Sequence, residues 1–300
     1  MGEAPLQKLE DSLLQEQSVT LWVKREDLLH PHISGNKWRK LKYNLQEAKQ
    51  QGYDTLLTFG GAYSNHIAAT AAAGREYGFN TIGIIRGEEH LPLNPTLSFA
   101  TSCGMQLHYI SREKYRLKNE PDFLEELQRQ FGKVYLLPEG GTNLLAVKGC
   151  TEIVQDIPLE YDYICCAAGT GGTLAGIVAS LEGEKQVLGF PALKGGEFLQ
   201  QEVEELVIAY GGQSYSNWQL ITDYHFGGYA KIKPELIAFM EQFKQQHYIP
   251  LEPVYTGKMF YGLFDLIRKG YFKRGSTIVA VHTGGLQGNV GFKERLGVQV

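Results

Sequence analysis

Very little in this chain of 300 residues points to a membrane, a polyanion or a disulfide scaffold. The net charge of −4 leaves no basic excess to draw in nucleic acid. Cysteine is scarce. Cys165 and Cys166 are adjacent, Cys103 and Cys150 stand alone, and none forms a Cys-x-x-Cys pair or another zinc-like spacing. They are expected as buried thiols in a reducing compartment. The apolar runs fall far short of the roughly 20 residues needed to cross a bilayer. The opening MGEAPLQKLEDSLLQEQ has no apolar core of a secretory signal. Repeats, low-complexity tracts and Pro/Ser-rich linkers are missing too, so composition marks no domain border. The expectation is a cytoplasmic protein with no membrane or nucleic-acid partner.

The chain does have a steady alternation. At 43% hydrophobic and 21% charged it can build a sizeable core. Short apolar runs at 19–23, 55–59, 81–85, 106–110, 133–137, 163–167, 186–190, 218–222 and 277–281 read as strands. Several are nearly continuous in Val, Ile and Leu, as strands covered on both faces are. Between them lie helical patterns, for example 38–49, 65–74, 122–130, 197–209 and 234–246. This is α/β alternation with parallel or mostly parallel sheets under helices, and two smaller sheets suit the length better than one of nine strands. Ligands in such folds sit at the carboxyl ends of strands.

Three strand ends carry chemistry. AGTGGTLAG at 168–176 follows an apolar strand and opens a helix. Its exposed amides and hydroxyls suit a phosphate at a helix N-terminus. It has no Walker lysine, and a dinucleotide fingerprint counted from Gly169 ends on Leu174 instead of glycine. The plainer alternative is a tight packing turn, which does not need the two threonines. GGAYSNH at 60–66 precedes an alanine-rich helix and reads either as an N-cap or as a carboxylate site. ISGNKWRKL places Lys37 in the first turn of a helix, where the positive helix end and burial both lower a lysine pKa. A free amine there is a nucleophile for an aldehyde. Alone, KWRKLK reads as a basic face, with Arg39, Lys40 and Lys42 solvated. Beside a phosphate loop and a carboxylate site, Lys37 points to pyridoxal phosphate.

On these residues the chain resembles the pyridoxal-phosphate enzymes grouped as D-cysteine desulfhydrases and 1-aminocyclopropane-1-carboxylate (ACC) deaminases. The resemblance runs in order through VKREDLLHPHISGNKWRKL, GGAYSNH, AAGTGGTLAG, LEPVYTGKMFYGLFDLI and VHTGG, from about residue 23 to 285. It implies a two-domain tryptophan synthase β-like fold (fold type II). The large cofactor-binding domain would be 1–44 and 151–300, the smaller inserted α/β domain 45–150, and the protein a homodimer. It implies that Lys37 holds the cofactor and that Asn65 lies near its ring hydroxyl. Ser64, Asn65 and His66 would hold the substrate carboxylate, and Gly169, Thr170, Gly171, Gly172 and Thr173 the phosphate. Tyr255 would face the substrate. Tyr229, in HFGGYAK, matches a family Gly-Tyr less closely. HTGG at 282–285 would line the ring pocket through backbone, with the His282 side chain structural.

Thr256 bears on the reaction. By position it would contact the pyridine nitrogen, where ACC deaminases are expected to carry a glutamate. A hydroxyl cannot supply that charge, and the weaker electron sink suits expulsion of a thiolate better than opening of a cyclopropane. His66 points the same way, since the deaminases resemble Ser-Asn-Gln there. The reading is α,β-elimination on a small amino acid, D-cysteine giving pyruvate, ammonia and sulfide, with Lys37, Tyr255 and Tyr229 moving protons. ACC deamination to 2-oxobutyrate is the alternative. A nucleotide-dependent oxidoreductase or a non-catalytic pyridoxal-phosphate-binding protein are the readings from other classes. Departures cluster at the substrate side: the arginine expected just after Ser-Asn-His is missing, Tyr63 stands where glutamine is common, and HPHISGNK is unusual before the lysine.

Overall fold

The computed structural model describes residues 3–296. Its ten strands are β1 Leu6–Lys8, β2 Thr20–Lys24, β3 Thr55–Gly61, β4 Asn80–Arg86, β5 Gln106–Ile110, β6 Tyr135–Leu137, β7 Tyr163–Ala168, β8 Gln186–Pro191, β9 Trp218–Leu220 and β10 Thr277–Val281. They form a six-stranded sheet, β1-β2-β10-β7-β8-β9, and a four-stranded sheet, β5-β4-β3-β6. Every pairing is parallel except β1 with β2. All nine expected strands are present, arranged as two sheets. The antiparallel edge β1 was not foreseen. It has three residues, too few for a pattern of period two to register.

Both faces of the six-stranded sheet are covered. Leu21, Cys165, Leu188 and Ile278 pack on one side with Met259, Phe260 and Leu263. Ile164, Cys166, Val187 and Val279 pack on the other with Leu174, Ile177 and Val203. This two-sided burial is why β7, YICCAA, contains no polar residue. A side chain such as Phe260, with no exposed surface, contributes roughly 1.5–3 kcal/mol by burial. All four cysteines are free and buried, and desolvation pushes the Cys150 thiol up to about 11. No helix among the described residues is long and apolar enough to cross a membrane.

The four-stranded sheet takes all its strands from residues 55–137, whereas the six-stranded sheet takes strands from both ends of the chain. Four helices start at the carboxyl side of these sheets and place the residues singled out above: Asn36–Gln50, Asn65–Tyr77, Gly172–Leu181 and Thr256–Arg268. The first shows why Gly-Asn precedes the lysine. Gly35 has φ +64°, and a Cβ there would stand 1.9 Å from the Thr283 carbonyl oxygen. Only glycine lets the start of this helix press against the end of β10. Asn36 then donates from Nδ2 to Thr173 Oγ1 at 2.8 Å, which ties the helix to the glycine loop.

Candidate active site

A cavity of about 520 Å³ lies where these strand ends and helix starts meet. Lys37, Ser64, Asn65, His66, Gly169, Thr170, Gly171, Thr173, Tyr229 and Tyr255 all line it, so segments far apart in sequence are brought together. Thr283, Gly284 and Gly285 line it as well. The volume is that of a small-molecule site.

Lys37 is half-buried as a residue, but protein surrounds its amine. Desolvation, reinforced by the charge of Lys40, lowers its pKa to about 7. About half of the amine is then free at pH 7, against roughly 0.04% for an ordinary lysine. Its Nζ donates to the Gly140 carbonyl at 3.4 Å. Lys40 Nζ donates to the same carbonyl at 3.1 Å, to Thr142 Oγ1 at 2.9 Å and to Thr170 Oγ1 at 3.2 Å. This overturns the solvated-surface expectation for the basic run. Lys40 is 2% exposed, and Arg39, 5% exposed, pairs with Glu26, Glu152 and Asp156. Lys42 reaches Glu152 at 2.6 Å. Residues three apart on a helix share a face, so Lys40 follows Lys37 into the cavity.

The glycine loop fits a phosphate. It joins β7 to the helix Gly172–Leu181, whose first residues present backbone N–H groups at its positive end. Gly171, at φ +74°, makes the turn. The Thr170 hydroxyl and the Lys40 ammonium stand beside it, and Lys40 Nζ would be 3.3 Å from a Cβ on Gly172. A buried cation on an anion-shaped turn matches the donor set a phosphate requires.

Ser64 is the N-cap of the helix Asn65–Tyr77, its Oγ accepting from the backbone N–H groups of His66 and Ile67 at 3.2 and 3.3 Å. The His66 ring turns into the interior. Thr58 Oγ1 donates to the Leu137 carbonyl at 3.0 Å and therefore accepts from His66 Nε2–H at 2.8 Å. Burial and the two nearby lysines hold the His66 pKa well below its ordinary value, so the ring is neutral. Its Nδ1 is a buried lone pair with no partner among the described residues. Such an orphan on a cavity wall marks a place for a ligand donor. Asn65 Oδ1 accepts from Gln287 Nε2 at 2.6 Å.

Thr256 has no exposed surface and lies behind the cavity wall. Its Oγ1 accepts from the Glu252 backbone N–H at 3.0 Å and donates to Glu252 Oε1 at 3.2 Å. Glu252 itself lines the cavity. Its carboxylate caps the helix Thr256–Arg268, accepting from the N–H groups of Val254, Tyr255 and Thr256 at 2.8, 2.7 and 2.6 Å. Tyr255 and Tyr229 meet edge to face, with ring centroids 6.1 Å apart. Burial keeps the Tyr255 hydroxyl protonated, its pKa far above the ordinary value. His282 is fully buried, its Nε2 2.7 Å from the Pro250 carbonyl.

Several lining or bracing residues were not picked out from sequence. Lys40 was visible only as the third residue after Lys37. Glu252 lay in LEPVYTGK, three residues before Tyr255. Gln287 follows VHTGG by two residues, and no spacing rule connects it to Asn65. Lys258, 2% exposed, donates to the Gly228 carbonyl at 2.8 Å and so braces the loop that carries Tyr229.

The comparisons with known proteins point to one family. The family model described as pyridoxal-phosphate dependent enzyme matches residues 1–284. A Pyrococcus horikoshii protein, provisionally named a 1-aminocyclopropane-1-carboxylate deaminase, is 33% identical over 305 residues, 98% of this chain and 93% of that protein. An Arabidopsis thaliana protein named as a bifunctional D-cysteine desulfhydrase/1-aminocyclopropane-1-carboxylate deaminase is 33% identical over 293 residues, 89% of this chain and 73% of that protein. A solved structure described as an ACC deaminase homologue superposes with a TM-score of 0.87 at 32% identity, covering 100% of this chain and 94% of the other.

Proposed function

This chain belongs to the pyridoxal-phosphate dependent enzymes, and from that premise we propose that it eliminates the β-substituent of a small amino acid, with D-cysteine as substrate. Pyridoxal phosphate supplies an aldehyde for the substrate amine and a ring that delocalises the electrons left at Cα. Lys37 Nζ would be the amine that holds the cofactor and, once free, the base for the Cα proton. The loop 169–173 with Lys40 would anchor the phosphate. Asn65 would hold the cofactor ring, and the start of its helix would take the substrate carboxylate. The Cβ–S bond breaks as the Cα proton leaves, and the thiolate takes a proton from Tyr255 or Tyr229. D-cysteine and one water give pyruvate, ammonia and hydrogen sulfide.

The observation that carries the choice of thiolate elimination over ring opening is the environment of Thr256; the D configuration follows the resemblance alone. Its hydroxyl is neutral, and the adjacent Glu252 carboxylate already accepts three backbone N–H groups and that hydroxyl. A neutral hydroxyl cannot keep a ring nitrogen protonated, and the Glu252 carboxylate is directed to the start of its own helix by these contacts, so on this reading the electron sink is modest. Expelling thiolate needs less from such a sink than opening a cyclopropane. ACC deamination is the second reading, favoured by the name of the Pyrococcus relative, while the name of the Arabidopsis relative carries both activities. Family membership sets aside the oxidoreductase and the non-catalytic readings. The proposal extends to a smaller domain of 45–150 within a larger one of 1–44 and 151–300, of which residues 1–2 and 297–300 lie outside the described residues. It extends also to a cytoplasmic homodimer, which sedimentation would test for assembly. The test of activity is keto-acid release by the cofactor-loaded protein from D-cysteine and ACC in parallel. Pyruvate from D-cysteine alone is expected; 2-oxobutyrate from ACC would refute the Thr256 argument.

A further inference from the structure

One cation on the cavity wall has no role in the account so far. Arg86 ends β4 and is paired in register with Gly61, which ends β3. Both line the cavity. The guanidinium leans over its neighbour: Nη2 would be 3.5 Å from a Cβ on Gly61. The Gly61 carbonyl accepts from the Ser64 N–H at 3.0 Å, closing the turn that starts the helix Asn65–Tyr77. Arg86 therefore stands at the turn that leads into Ser64 and Asn65. The Tyr115 ring supports it from the side, its centroid 5.6 Å from the guanidinium carbon. The carboxylate that lines the cavity nearby, Glu139, is engaged elsewhere, with Tyr115 at 2.8 Å and Lys118 at 3.4 Å. Among the described residues no carboxylate pairs with Arg86.

An exposed guanidinium propped by Tyr115, with no carboxylate partner among the described residues, on the cavity wall and beside the positive end of a helix, suits a carboxylate. We propose that Arg86 is the cationic member of the subsite that takes the carboxylate of the substrate. This rests on the reading of the site as an amino-acid lyase and deepens it. The backbone and hydroxyl groups at the helix start orient the carboxylate, and Arg86 supplies the full charge they lack. Glycine at 61 leaves the guanidinium and the turn open to one ligand, where a larger side chain would part them.

The test uses the cofactor-loaded protein, its R86Q and R86K variants, and D-cysteine. Two quantities are read: the steady-state constants, and the concentration dependence of the change an amino acid makes to the visible cofactor band. R86Q is expected to raise KM and the spectral Kd by roughly 10- to 100-fold, far more than it lowers kcat. R86K, which keeps the charge but loses the fork, is expected to recover part of this. An intact cofactor band in R86Q checks that the site has folded. Unchanged KM and Kd in R86Q, or a loss confined to kcat, would overturn the proposal. If no amino acid alters the band of the unsubstituted protein or yields a keto acid, the lyase reading fails first and this inference with it. If that protein turns over and R86Q matches it, the inference alone fails.

Discussion

Lys37 has a measurable effect on folding that needs no substrate. Its pKa is lowered from an ordinary lysine value to about 7, by burial first and by Lys40 second. In the unfolded chain it titrates near 10.4. Between these values the unfolded state binds a proton that the folded state does not. The stability of the cofactor-free protein therefore rises with pH from about 7 to about 10 through this group. Replacing Lys37 with methionine removes the group. The variant should be the more stable protein at pH 7, by on the order of 4–5 kcal/mol, since each pKa unit is about 1.4 kcal/mol. The gain should shrink steadily and vanish above pH 10. For a chain of 300 residues it corresponds to about 7 °C in Tm at pH 7. Thermal unfolding of both cofactor-free proteins at several pH values measures it. A difference independent of pH, or a variant less stable than its parent at pH 7, would refute the claim that this amine is held free by its surroundings.

Other consequences follow from single contacts. Lys40→Met removes the ammonium beside the glycine loop, and cofactor affinity should fall about tenfold or more while Lys37 still takes up the cofactor slowly; equilibrium dialysis measures it. Gln287→Leu frees the amide of Asn65, so the absorption maximum of the bound cofactor and its pH dependence should shift, and Gln287→Glu, which keeps an acceptor but loses the donor, should not restore them. Lys258→Met releases the Gly228 carbonyl. The Tyr229 loop should then become a faster site of limited proteolysis and kcat should fall more than KM rises. Equal digestion rates would show that Lys258 does not brace the loop.

The two sheets were legible because two-sided burial writes itself as apolar runs. The strand 277–281 keeps its bounds in the structure, and 163–167 gains only Ala168. The glycine loop and the lysine were legible for a similar reason. An anion turn needs glycines in sequence, and the close approach of Gly35 to Thr283 demands a glycine before the helix. Lys40 was misread because its neighbours in KWRK are charged and a basic run usually faces water. Its burial depends on the Gly140 carbonyl and Thr142, a hundred residues away. Thr256 was read as a contact on the wall, yet Glu252 occupies that wall and Thr256 braces it from behind. The inward turn of the His66 ring depends on Thr58 and Leu137, and no local pattern carries it.

The measurement that tests the central claim most directly is reduction of the cofactor-loaded protein with borohydride, followed by peptide sequencing in the mass spectrometer. Lys37 and Lys40 lie one turn apart and reach the same carbonyl, so the position of the fixed pyridoxyl group discriminates between them. The added mass is expected on Lys37 alone, lost in Lys37→Met and kept in Lys40→Met. Fixation on Lys40, or equally on surface lysines, would contradict that claim.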